Sequence, residues 1–367
     1  MTFFAIDAVI PQILENMKSL ITLLLIPCFV ACQTNRTELE QLYLSKKYNE
    51  VIRIAQQKLE LDHNDLEANS FFGQSLVKKN DFKNGLKYLE KADSLETENL
   101  ARKLWINLSK AIALYQLDEY SKAQICVTKC IDLNSTKIGM KELNQFALIC
   151  GFKEFYPQWN IVESEHFRFH FPPNSNIEDK SLFINKYESS FNEIQSFFNS
   201  VIPKKIDAII WNNDEDAKSL GIEFLAFAIP PFVTLHTNKY HTVGHEMTHI
   251  ITYFASAGKI KTNNFVYEGT SVCFDNTHES KINRAILYKK DHNYNTKIDL
   301  KDVWRNPKDY PEWIVYYLGS EVIRDLIDNY SKDKFIQLIN SPSFESAVSI
   351  YGSDLNTVLE NIEIKIN

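Results

Sequence analysis

Glycine is scarce in this chain, ten in 367 residues, and the two nearest in sequence, Gly258 and Gly269, are eleven positions apart. Neither a G-x-G-x-x-G turn nor a P-loop can be written into such a sequence, which excludes the nucleotide-binding folds built on those turns. Positive charge is also short. Forty Lys and Arg stand against 47 Asp and Glu, a net charge of −7 that argues against a nucleic-acid partner. The six cysteines form no disulfide framework; Cys126, Cys130, Cys150 and Cys273 read as small core residues, and the C-x3-C pair has no further Cys or His nearby to complete a metal site. What is present is ordinary globular composition, 44% apolar and 24% charged, with chain enough for two domains.

Residues 17–31 read as a secretory signal: Lys18, a mostly apolar run from Leu20 to Val30 too short to span a bilayer, then small residues. Phe29-Val30-Ala31-Cys32 resembles the lipobox of bacterial lipoproteins. That resemblance implies removal of Cys28, a lipidated Cys32 as first residue of the mature chain, and a place in the cell envelope on the periplasmic or outer side. Residues 1–16 contain Asp7, Pro11 and Glu15, a poor start for a signal, so translation is expected to begin at Met17. An uncleaved hydrophobic anchor is the alternative.

Residues 32–153 carry a repeating unit. Tyr48, Phe82 and Tyr120, spaced by 34 and 38, each open a predicted helix. Aligning on them stacks Val51, Gly85 and Ala123, then Ala55, Leu89 and Val127, then Lys58, Ala92 and Cys130. Small residues at the first position let two helices approach closely, and the middle position supplies an apolar knob. The pattern resembles tetratricopeptide repeats, with Gly73 and Ala111 at the small position of the preceding helix. It implies three stacked helical hairpins with a concave face for a protein partner, closed by a helix over 141–152. A helical prop without a partner is the competing reading.

A second domain is expected over 155–367. Val162–Phe171 alternates as one strand, with Ser164, His166, Arg168 and His170 opposite Phe167, Phe169 and Phe171. Asp179–Phe198 reads as an amphipathic helix and Ile206–Trp211 as a buried strand. Phe224–Leu235 reads as a strand region whose Pro230-Pro231 suits a sheet edge.

Lys239–Ala257 has Tyr240, Val243, Met247, Ile250, Ile251 and Phe254 at helical spacing, with Gly258 to end it. Within it stands His245-Glu246-Met247-Thr248-His249. Histidines at i and i+4 leave a helix from one face, so both imidazoles can reach one Zn2+ while the Glu between them faces the attacking water. Catalytic zinc sites use a third protein ligand. Phe265-Val266-Tyr267-Glu268-Gly269-Thr270 follows at the spacing found in the gluzincin metallopeptidases, whose pattern is H-E-x-x-H, a spacer, then Glu-Gly on a second helix. The segment thus resembles that group, and its peptidase-MA-like members most. The resemblance implies an α+β zinc peptidase domain behind the α-helical repeats, with a mixed sheet, an antiparallel edge strand, an active-site helix and a helical C-terminal part. It implies one Zn2+ on His245, His249 and Glu268, and Glu246 as general base. Tyr316-Tyr317-Leu318-Gly319 resembles the Tyr-x-x-Gly segment of gluzincins, which gives Tyr316 the oxyanion-donor role, with Tyr317 as the fallback.

No Gly-x-Met-Glu-Asn segment stands upstream to hold a substrate α-amine, so an endopeptidase is expected, its substrate laid along the apolar stretch around Phe227 and Phe232. Glu223 is the nearby acid that would reverse this. His236 and His241 precede the motif without being needed as ligands, His166 and His170 belong to a strand face, and Asp275 is a candidate to orient a ligating imidazole from behind. A lipid-anchored repeat adaptor with a non-catalytic zinc domain is the second reading; the intact Glu246 speaks against it.

Overall fold

The computed structural model describes residues 36–367 apart from Phe224 and His278. The signal segment 17–31, Cys32 and the stretch 1–16 lie outside the described residues. The chain is helix-rich with one small mixed sheet, and it divides between Trp159 and Asn160 into two compact units, a few residues past the expected boundary. No helix among the described residues is long and apolar enough to cross a membrane, and those residues contain no disulfide.

The first unit is a run of helices: α1 Glu38–Leu44, α2 Tyr48–Leu61, α3 Leu66–Lys78, α4 Phe82–Leu95, α5 Leu100–Gln116, α6 Tyr120–Leu133 and α7 Lys137–Ile149. The three aligned aromatics are the first residues of α2, α4 and α6. Asp65, Asp81 and Asn99 cap α3, α4 and α5 by accepting amide hydrogens three residues on, which fixes where each helix begins. Val51, Ala55, Leu89, Ala92, Ala123, Val127 and Cys130 are fully buried. Lys58 departs from the stack: it pairs with Glu67 at 3.2 Å and Leu59 fills the interior beside it. At the α3–α4 crossing, a Cβ on Gly73 would lie 3.0 Å from the Gly85 carbonyl oxygen and 2.7 Å from Leu89, so the helices touch backbone to backbone. The closing helix α7 starts four residues earlier than expected, because Thr136 caps it through the Gly139 amide.

The second unit is built on a five-stranded sheet ordered β1-β2-β3-β5-β4, comprising β1 Asn160–Glu163, β2 Phe167–Phe171, β3 Ile206–Trp211, β4 Phe227–Ile229 and β5 Thr234–Asn238. β2, β3 and β5 run parallel, while β1 and β4 close the two edges antiparallel. The single strand expected over 162–171 is instead a hairpin. Ser164–His166 form its turn, with the Ser164 amide bonded to the Phe167 carbonyl and His166 held by Glu188. Alternation survives across a turn of that length, so periodicity cannot reveal it.

Phe167, Phe169 and Phe171 pack on Phe183, Tyr187 and Phe191 of α8 Lys180–Phe198, the amphipathic helix capped by Asp179. The opposite face of β2 is buried too. Asp207 there takes Lys204 Nζ at 2.6 Å, His170 Nε2 at 2.9 Å and Arg168 Nη1 at 3.2 Å. Burial opposes ionisation of Asp207, but these cations hold its carboxyl far below the usual carboxylate range. The proline pair sits in the 3-10 turn Pro230–Phe232 joining β4 to β5 rather than inside a strand, so the missing N–H groups cost no ladder bonds.

The remaining α-helices of this unit are α9 Asp214–Ser219, α10 His245–Ala255, α11 Asn264–Cys273, α12 Lys281–Asp291, α13 Leu300–Arg305, α14 Gly319–Asn329, α15 Lys332–Asn340, α16 Phe344–Tyr351 and α17 Ser353–Ile366. α10 begins six residues later than its apolar spacing suggests. Asn238 Oδ1 accepts the Tyr240 amide at 2.8 Å, turning the chain, and Tyr240 is exposed rather than on a buried helical face.

Candidate metal centre

Gly244 sets the start of α10. Its φ is +110°, and a Cβ there would lie 2.5 Å from the Phe274 carbonyl oxygen, so only glycine lets the helix begin with His245 at this place. One turn later comes His249, with its ring edge-on to His245 at 4.9 Å. Asn263 caps α11 by accepting the Val266 amide and ties it to the Trp304 carbonyl, which brings Glu268 to the face of α10 that carries the histidines.

One ligand atom from each of His245, His249 and Glu268 lies within 4.8 Å of the others, spacing that could hold a metal ion. Glu268 Oε2 is 3.4 Å from both Nε2 atoms, yet no hydrogen bond reaches it although it is buried. A buried carboxylate oxygen aimed at two imidazole nitrogens without a properly directed hydrogen bond is what a cation between the three would satisfy. Two neutral imidazoles and one carboxylate also form a donor set suited to zinc.

The charges reinforce one another. Burial would raise the Glu268 carboxyl, but the two imidazoles hold it well below the usual range. Burial lowers His245, and Glu268, Glu246 and Asp275 more than reverse that, leaving it raised. Glu246, between the two histidines in sequence and half-buried, is raised by burial and by Glu268 against the pull of the imidazoles. A carboxylate shifted upward is a stronger proton acceptor at neutral pH than one in open water.

Tyr316 lies in a π-helical turn, Ile314–Leu318, that runs directly into α14. Its ring centroid is 6.2 Å from that of His245, and burial followed by the neighbouring Glu268 carboxylate drives its phenol well above the ordinary range. Tyr317, the fallback, packs instead on Tyr288 of α12, with ring centroids 5.7 Å apart.

Other histidines stand apart from the cluster. His236 is buried in β5, accepting Trp211 Nε1–H at 3.2 Å and stacked on Phe227. His166 and His170 are bound to Glu188 and Asp207. His241, near His245 and Asp214, is lowered chiefly by burial and contacts Thr237 Oγ1 at 3.5 Å. Asp275 does not hydrogen-bond either imidazole; both its oxygens are taken by Lys281, at 2.7 and 2.8 Å, and one also by Thr277. Asp275, a candidate for the place behind an imidazole, is therefore engaged elsewhere. Glu223 is exposed and outside the cluster. Phe227, in β4, is half-buried and has one ring face stacked on His236.

Two contacts were not foreseen in the sequence. Tyr267 stacks on the His249 ring at 4.0 Å, and Ser271 Oγ lies 2.9 Å from His249 Nδ1. Both follow from helical spacing around Glu268, since 267, 268 and 271 share one side of α11. No protein-family model matches the chain, and no curated protein matches it.

Proposed function

We propose that the chain is a zinc-dependent metallopeptidase of gluzincin type, cleaving peptide bonds within a chain, with tetratricopeptide-like repeats for a protein partner. The observation that carries this reading is the buried, hydrogen-bond-free Glu268 Oε2 facing two imidazoles, with Glu246 between them. His245, His249 and Glu268 would hold the ion. When bound, zinc supplies a Lewis acid that polarises a carbonyl and lowers the pKa of water towards about 7.

The chain's own groups do the rest. Glu246 accepts the proton of the attacking water and hands it to the departing amine, work its raised pKa suits. Tyr316 keeps its phenol proton at any physiological pH and offers it as a hydrogen bond to the developing oxyanion. β4 is a sheet edge packed on α10, so an extended peptide can add alongside it through main-chain hydrogen bonds.

Glu246 disfavours a purely non-catalytic zinc module, because such a site has no use for a base beside its ligands. Lipidation of Cys32 would place the protein in the bacterial envelope, and Cys32→Ser should move it from the membrane fraction to the soluble one. The experiment that tests the central reading is metal analysis of the full chain beside Glu268→Ala. One zinc per wild-type chain and none in the variant supports it; equal content in both overturns the ligand assignment.

A further inference from the structure

His249 is the ligand that α11 grips from several sides. Glu268 Oε2 faces its Nε2 at 3.4 Å, Tyr267 covers one ring face, and Ser271 Oγ meets Nδ1 at 2.9 Å. Ser271 is fully buried, so its hydroxyl must be accounted for. Its own oxygen lies 3.3 Å from the Tyr267 carbonyl, one turn back on the helix, and donates there.

We propose that Ser271 is a positioning residue for the metal centre: its hydroxyl passes its hydrogen to Tyr267 O, accepts the Nδ1–H of His249, and so commits Nε2 to the ion. The inference rests on the metal-site reading above. An imidazole that ligates through Nε2 must carry its proton on Nδ1, and in a buried site that N–H needs an acceptor. Among the described residues Ser271 is the one that supplies it. Asp275, the carboxylate that sequence spacing suggested, is occupied by Lys281.

The two histidines are therefore treated differently. His245 has no comparable partner on Nδ1 among the described residues; its ring meets Glu268 Oε2 at 3.4 Å and the rings of His249 and Tyr316, while His249 has a partner on Nδ1 as well. The nature of the acceptor also matters. A hydroxyl brings no charge, so two neutral imidazoles, one carboxylate and a divalent ion sum to +1; a carboxylate behind His249 would cancel that and weaken the attraction for a developing oxyanion.

The test is zinc affinity of the full chain, measured by competition with a chromophoric chelator, for wild type, Ser271→Ala and Ser271→Thr, with thermal unfolding of the metal-free proteins alongside. The expected result is binding about 10- to 100-fold weaker in Ser271→Ala, restoration by Ser271→Thr, and unfolding midpoints that do not follow that order. Wild-type affinity in Ser271→Ala overturns the assignment, as does equal weakening in Ala and Thr, which would mark a packing role. A wild-type chain that binds no zinc overturns the metal-site reading itself, an outcome distinct from either.

Discussion

Gly269 and Gly319 touch across two helices: a Cβ on Gly269 would lie 2.7 Å from the Gly319 carbonyl carbon, and one on Gly319 would lie 2.8 Å from the Phe265 carbonyl oxygen. Each glycine follows a site residue, Gly269 directly after Glu268 and Gly319 three after Tyr316. The contact is backbone against backbone, so it fixes the separation of α11 and α14 with no side chain able to give way. It thereby places the π-helical turn, and Tyr316 with it, beside Glu268.

Gly319→Ala tests that linkage. The added methyl must push α14 from α11, an overpacking cost of about 1–3 kcal/mol in stability. Because α10 and α11 still carry all three side chains proposed to hold zinc, zinc content should stay at the wild-type level while kcat falls by about 10²- to 10³-fold, the loss expected if Tyr316 is the oxyanion donor and is displaced. Metal analysis and steady-state kinetics on the same preparation check it. Zinc lost together with activity would show that the crossing serves the ligands instead.

Glu246→Gln separates binding from chemistry. Glutamine keeps the shape of the side chain but cannot accept a proton from water, and Glu246 lies outside the ligand cluster. Zinc content should be unchanged and hydrolysis reduced by about 10²- to 10⁴-fold. Activity within about tenfold of wild type would remove Glu246 from the reaction.

Much of this was readable in the chain. The helix starts at Tyr48, Phe82 and Tyr120, the helix ending at Phe198 and the strand 206–211 follow from apolar period and turn residues, and of the three starts only Phe82 also has a side-chain cap, from Asp81. The i, i+4 histidines are likewise a property of one helix. What escaped was decided by tertiary contact. The turn at 164–166 lies within an unbroken alternation, the late start of α10 depends on Asn238 and Gly244, and the serine that meets His249 comes from a second helix, so its spacing from Glu268 acquires meaning only once α10 and α11 are packed. Asp275 had suitable spacing, but Lys281, six residues on, claimed it first.

The buried cluster around Asp207 was also invisible, because Arg168 and His170 sit on what reads as a polar outer face. Asp207→Asn should destabilise the protein by about 3–5 kcal/mol, since it removes the carboxylate shared by Lys204, His170 and Arg168. The pH dependence follows from the sign of the shift. With the folded pKa depressed below an unfolded value of about 3.9, the Asp207 contribution is fully present above pH ~4 and is lost as pH falls below it. Denaturant midpoints measured from pH 7 to pH 3 should fall for wild type at the acid end, with a smaller fall for the variant. Parallel profiles would show that Asp207 is not the group responsible.

The choice between endopeptidase and aminopeptidase turns on what could hold a substrate ammonium. A desolvated α-amine beside the ion needs a free carboxylate. Glu268 and Glu246 are committed to the ion and the water in the proposed mechanism, Asp275 is neutralised by Lys281, Asp214 accepts Asn238 Nδ2–H at 3.0 Å, Glu312, near enough to act on the Tyr316 phenol, already has an interaction of its own, and Glu223 is exposed outside the cluster. The β4 edge offers main-chain groups instead, and those serve a blocked peptide as well as a free one. An N-terminally acetylated peptide and its free-amine twin should therefore be cleaved internally at similar kcat/KM, within about threefold, since the only difference between them is a charge that finds no partner. Mass analysis of the products settles the matter: single residues released from the free-amine peptide, with the acetylated one resistant, would refute the endopeptidase reading and direct attention to Glu223 and Asp214.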